Sequence, residues 1–145
     1  FYYKWILGIR IGSGSSIHMN TFINRRNIQI GTNSVINRNC YLDGRGGLLI
    51  GNNVSIGHNA IVHGCTIKDN VLIGMGSIVM DDCIIESNSI IAAGAVVTKN
   101  TIVESGSIYA GIPAKKVKDI SEALISGEID RIANNYVKYS SWFKD

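Results

Sequence analysis

The sequence predicts an all-β solenoid of stacked parallel coils, and three observations carry that reading. A large aliphatic residue recurs at a six-residue step. A small residue stands four places after most of these, and glycine or asparagine recurs between them. No helix has a six-residue apolar period, whereas short strands joined by tight corners do, and internal self-similarity of this kind marks a repeat architecture.

The aliphatic series runs Ile11, Ile17, Ile23, then Ile30, Ile36, Leu42, then Ile50, Ile56, Val62. It continues through Ile67, Ile73, Val79, Ile85, Ile91, Val97 and Val103. Ser15, Thr21, Ser34, Cys40, Ala60, Ser77, Cys83, Ser89, Ala95, Thr101 and Ser107 occupy the small slot. Both sets point inward, and the corners fall at glycine and asparagine, which tolerate positive φ. Three units close one triangular coil of roughly 18 residues, and coils stack at about 4.8 Å. The series gives about five coils over a solenoid domain at residues 1–112.

Pro113, the single proline, marks the break from strand. Residues 113–145 then form a second segment, predicted to be helical and to pack along the outside of the solenoid. Ile125, Ile129, Ile132, Ala133, Tyr136 and Val137 make its apolar stripe. Asp119 or Ser121 caps its start, and Gly127 divides a short helix from a longer one.

Composition narrows the function classes. A net charge of +3 from 14 basic and 11 acidic residues points away from nucleic acid. No stretch approaches the roughly 20 apolar residues of a membrane span. The opening FYYKWIL is too short for a signal peptide, and the absence of an initiator methionine suggests a trimmed or partial chain. Cys40, Cys65 and Cys83 are odd in number and lack CxxC spacing, which fits buried thiols in a reducing, cytoplasmic setting.

The pattern [LIV]-G-x-x-[STAC]-x resembles the hexapeptide-repeat proteins. The resemblance implies a left-handed β-helix, against the usual right-handed crossover rule, and a homotrimer with sites between subunits. Within it, the stretch IGHNAIVHGCTIKDNVLIGMGSIVMDDCIIE and the later YAGIPAKKV are similar to the γ-class carbonic anhydrase group, over residues 57–145. That likeness implies zinc, with His58 and His63 as ligands contributed by different subunits. The group's third ligand is a histidine one coil before His63, and here that place holds Asp43.

The repeat itself places these residues. Leu42 and Val62 are equivalent in successive coils, so Asp43 and His63, each one place later, stack roughly 5 Å apart. His58 lies on the preceding side of the triangle, away from that pair in its own subunit, where a neighbouring subunit's pair could meet it. Zinc accepts two histidines, a carboxylate and a water, but a carboxylate also lowers the ion's power to acidify that water. Without a metal, Asp43 reads as a corner carboxylate accepting an imidazole N–H. The group's Arg-Gly-Asp and Gln-Asp stretches fall at Asn24-Arg25-Arg26 and Asn37-Arg38, so residues that orient the reactive water there are replaced. His18 falls two coils early, matches no ligand position and is expected to be exposed.

The earlier part of the chain, about residues 5–56, is similar to the hexapeptide sugar O-acetyltransferases, most specifically in INRNCYLDGRGGLLIGNNVSI. The loop bearing that group's catalytic histidine is missing, because Gly57-His58-Asn59 follows at once. The change of resemblance near Ile56 reads as a chimera, engineered or a natural mosaic. Three functional readings follow. The first is a γ-carbonic-anhydrase-like zinc protein acting on a small molecule, with hydration of carbon dioxide weak or lost and His58 and His63 at its centre. The second is acetyl-CoA-dependent acyl transfer, with a groove histidine as general base and Lys115 and Lys116 on the coenzyme phosphates. The third is a trimeric scaffold without catalysis.

Overall fold

The structure is a computed structural model that describes residues 9–24, 26–124 and 126–127. Its strands are short because a corner interrupts the chain at almost every sixth residue. Face A stacks β1 (Arg10–Ile11), β4 (Ile28–Ile30), β7 (Leu48–Ile50), β10 (Thr66–Ile67), β13 (Ile84–Ile85) and β16 (Ile102–Val103). Face B stacks β2 (Ser16–Ile17), β5 (Val35–Ile36), β8 (Ser55–Ile56), β11 (Leu72–Ile73), β14 (Ile90–Ile91) and β17 (Ser107–Ala110). Face C stacks β3 (Phe22–Asn24), β6 (Tyr41–Asp43), β9 (Ile61–Val62), β12 (Ile78–Val79) and β15 (Val96–Val97). This is the parallel, left-handed β-helix that the repeat and its resemblance imply. Five coils are complete, and faces A and B carry a sixth strand because the series runs on through Val103 and Tyr109.

Register follows the aliphatic series without slippage. On face B, Ile17 pairs with Ile36, Ile36 with Ile56, Ile56 with Ile73, and Ile73 with Ile91. On face C, Ile23, Leu42, Val62, Val79 and Val97 form the equivalent ladder. From Ile36 onward nearly every member is buried, each worth about 1.5–3 kcal/mol of hydrophobic burial. Backbone amides bond from coil to coil, as in Gly31 N–H to Ile50 O (2.8 Å) and Gly51 N–H to Ile67 O (2.8 Å).

The small inward residues do more than fill space. The buried Ser34 hydroxyl donates to Gly51 O (2.8 Å) and accepts from Val54 N–H (3.0 Å), bracketing the next corner. Cys40 and Cys83 take the same role with Sγ to Gly57 O (3.1 Å) and Thr98 O (3.0 Å). All three cysteines are free and buried, and burial pushes their thiols up from the ordinary value. Among the described residues no buried side-chain nitrogen or oxygen lacks a partner.

One expectation about the corners changes. Asparagines such as Asn33, Asn59 and Asn88 do adopt positive φ. Gly12, Gly31, Gly51, Gly57 and Gly74 do not, and close stacking is what demands them. A Cβ on Gly57 would lie 2.6 Å from the backbone nitrogen of Met75 in the next coil.

Departures from the six-residue step collect at one edge. One extra residue separates Ile23 from Ile30, two extra separate Leu42 from Ile50, and one fewer separates Val62 from Ile67. All three lie at the corner between faces C and A, so the regular stack is broken there over successive coils. Beyond the solenoid, the chain turns through the cis Ile112–Pro113 bond and returns as β18 (Lys115–Asp119), antiparallel to β17. Every residue of β18 is exposed. A three-residue helix, α1 (Glu122–Leu124), follows, with Leu124 N–H donating to the Ser121 hydroxyl at 3.3 Å. Ser121 is therefore the cap, and Asp119 belongs to the strand. The apolar stripe from Ile125 to Val137 lies outside the described residues, as does most of the segment expected to be helical. No helix among the described residues is long and apolar enough to cross a membrane.

Candidate functional site

His58 and His63 lie at opposite ends of β9, on the two corners that bound face C. The strand and the width of face C lie between them, so one chain holds the two rings at separate corners. Both are partly exposed. His58 shares its corner with His18 and Arg38 of earlier coils. His18 is half-buried, not exposed, and donates to or accepts from the Ser16 hydroxyl at 3.3 Å. Burial first, then the charges of Arg38 and His58, pull His18 below its ordinary pKa.

His63 stands at the irregular corner, in a shallow groove of about 490 Å³ lined by Arg45, Gly46, Gly64, Asp81, Asp82 and Lys99. Gly64 is required here, because a Cβ would run into the carbonyl of Arg45. The imidazole stacks on Tyr41 of the preceding coil, with centroids 5.9 Å apart. Its Nδ1 lies 3.6 Å from Asp81 Oδ2 in the following coil.

Asp43 occupies the register position that the repeat assigns, since Leu42 pairs with Val62. Its carboxylate, however, is engaged elsewhere. Arg45 Nε lies 3.1 Å from Oδ1 and 2.9 Å from Oδ2, and Arg45 Nη2 lies 2.6 Å from Oδ2. The Arg45 amide donates to Oδ1 (2.9 Å) and Asn24 Nδ2 to Oδ2 (3.3 Å). No hydrogen bond or ion pair joins Asp43 to His63 among the described residues. The Arg45 guanidinium is the main reason that Asp43 falls from 3.8 to about 2, against the upward pull of its burial. Asp43 is 1% exposed while the Arg45 side chain is 61% exposed, so the clamp closes over the carboxylate from the solvent side.

These residues fit zinc only in part. The two partly exposed imidazoles suit it as nitrogen ligands. Asp43 does not suit it as placed, because both oxygens already hold donors. Among the described residues of one chain, no three His, Cys, Asp or Glu side chains cluster to hold a metal.

Lys115 and Lys116 lie on β18, away from the groove. Lys116 is paired with Glu104 (2.6 Å) and Asp119 (2.9 Å), and these carboxylates hold its ammonium well above the ordinary lysine range. Lys115 is exposed and forms no ion pair among the described residues. Arg45 and Asp81 are the residues that sequence reasoning missed, and Asn24 was placed there only as a replaced residue, not as a partner of Asp43. A signal existed for Arg45, two places after a buried aspartate inside a glycine-rich corner, Asp43-Gly44-Arg45-Gly46-Gly47.

Comparison with known proteins agrees with this architecture. The profile described as "Bacterial transferase hexapeptide (six repeats)" matches residues 64–99, and "Hexapeptide repeat of succinyl-transferase" matches residues 47–80. Protein YrdA of Escherichia coli strain K12 is 43% identical over 83% of this chain, which spans 66% of YrdA's length. The protein named "Carbonic anhydrase" from Geobacillus kaustophilus is 41% identical over 92% of this chain and 75% of its own length. That similarity therefore reaches the coils before Ile56 as well as those after it. Among solved structures, a hexapeptide transferase family protein from Anaplasma phagocytophilum superimposes with a TM-score of 0.85. It is 36% identical, with 93% of this chain and 81% of the other covered. The chain thus belongs to the hexapeptide-repeat family, among relatives that include a bacterial carbonic anhydrase.

Proposed function

We propose that the chain is one subunit of a γ-carbonic-anhydrase-like homotrimer with a metal position between subunits, in which hydration of carbon dioxide is weak or lost. The supporting observation is the placement of the histidines around face C. His58 and His63 flank its two edges, so they can share a metal only across an interface. The outside of that face offers one: Phe22, Tyr41, Ile61, Ile78 and Val96 form an apolar column in register. Met19, Met75 and Met80 stand exposed on the flanking corners. Apolar patches of this kind mark association surfaces.

In this reading His63 of one subunit and His58 of the next hold zinc, which when bound supplies a Lewis acid to polarise water. Asp43 joins them only if it exchanges the Arg45 guanidinium for the ion. That exchange would cost a charge-assisted, partly bidentate pairing, which is the physical reason for weak or absent turnover. The free thiols suit a reducing compartment, and a cytoplasmic location is part of the proposal.

Metal content of the purified protein, measured by mass spectrometry beside His58→Ala and His63→Ala, tests the reading. About one zinc per subunit, lost in both variants, supports it. Folded protein that stays metal-free after zinc addition, or a monomer in light scattering, refutes it. The second reading, acyl transfer, draws on the transferase hexapeptide profile and on Lys115. Saturable acetyl-CoA binding by metal-free protein would favour it, and failure of both assays leaves a scaffold.

A further inference from the structure

The repeat delivers two neighbours to His63 from the coils on either side. Tyr41 packs against the ring from the preceding coil, at 5.9 Å between centroids. Asp81 approaches Nδ1 from the following coil, at 3.6 Å. Asp43, the carboxylate expected beside this ring, is committed to Arg45 and Asn24. The adjacent aspartates at this corner also diverge in role: Asp82 faces Lys99 Nζ at 3.7 Å, while Asp81 faces the histidine. The backbone of the corner is fixed, because Asp81 O accepts from Asn100 N–H (3.2 Å) and Asp82 N–H donates to Gly64 O (2.8 Å).

A carboxylate beside Nδ1 favours the neutral tautomer with its proton on that nitrogen, which leaves the Nε2 lone pair free. We propose that Asp81 is the positioning residue of this site, holding His63 as the Nδ1–H tautomer and presenting Nε2 as the nitrogen donor of the groove. Tyr41 limits ring rotation from the other side. The inference deepens the metal reading and rests on it for what Nε2 binds. The orientation of the ring stands apart from that reading.

The test uses the full chain labelled with ¹⁵N at histidine, stripped of metal by chelation and studied by long-range ¹H–¹⁵N NMR above the range where imidazole titrates. With three histidines in the sequence, His63→Gln identifies the signals of interest. The wild-type ring is expected to show protonated Nδ1. Asp81→Asn is expected to shift it toward protonated Nε2, Asp81→Glu to restore it, and Asp82→Asn to leave it unchanged. Protonated Nε2 in the wild type, or no change in Asp81→Asn, overturns the proposal. Zinc titration of the same proteins gives a second readout. Asp81→Asn should weaken binding about 10- to 100-fold, the usual effect of losing such an outer partner, while Asp82→Asn should not. Equal weakening by both would point to bulk charge at the groove and overturn the assignment. A wild type that binds no zinc sinks the metal reading, and the tautomer result then decides the proposal alone.

Discussion

Arg45→Gln isolates the clamp on Asp43. The substitution removes the guanidinium contacts at 2.6, 2.9 and 3.1 Å but leaves the backbone amide and Asn24 in place. Arg45 is exposed, so solvent screens the pair, and the expected loss at neutral pH is a modest fall in the urea midpoint. The pH dependence gives a sharper signature. Asp43 titrates near 2 in the fold against an ordinary 3.8, so its contribution is fully present above 3.8 and is lost as pH falls through about 2. In Arg45→Gln the folded pKa rises toward the ordinary value, because burial then meets only the backbone amide and Asn24. That share of the acid loss should disappear. Urea unfolding at fixed protein concentration, repeated between about pH 2 and pH 7, measures both effects. Unchanged stability at pH 7 together with an unchanged acid limb would refute the clamp.

Two further outcomes follow from the stack. Ile56→Ala, at a site buried between Ile36 and Ile73, should cost about 2–5 kcal/mol in denaturant unfolding, through lost transfer energy and a cavity. Gly57→Ala should also destabilise, since its Cβ would meet Met75 N at 2.6 Å. A melting temperature equal to that of the wild type would show that the coils can part there.

The ladders of the fold were legible because each inward position obeys one rule: an aliphatic side chain must sit on the one below it. Ile36, Ile56 and Ile73 could be paired as the middle members of successive triplets in the aliphatic series, although the spacing between triplets varies. β18 was not legible, because KKVKD carries no apolar alternation. It pairs with the open edge of β17 while burying none of its own residues. At the site, the register of Asp43 with His63 followed from the repeat, but the direction of its carboxylate did not. A neighbour two residues along the same corner competes at much shorter range than a ring in the next coil. Gly12, Gly31, Gly51, Gly57 and Gly74 misled for a related reason, whereas Gly14, Gly76, Gly94 and Gly106 do take positive φ. The sequence marks where side chains are forbidden, and only the stacking distance says whether φ or a neighbouring backbone forbids them.

A stack of identical coils has no intrinsic end, because each coil is the template for the next. Open ends of this kind let two molecules join head to tail, and a heterologous contact of that kind does not close on itself. On face B the chain answers by reversing direction. β18 meets β17 antiparallel, with a shift in register at Ile108/Tyr109, and turns outward a run of Lys115, Lys116 and Lys118. An incoming parallel strand would find the hydrogen-bond spacing wrong and the edge charged. The five residues that look least like the rest of the repeat thus act as the stop signal of this face, closing the last edge of its ladder to a further parallel strand.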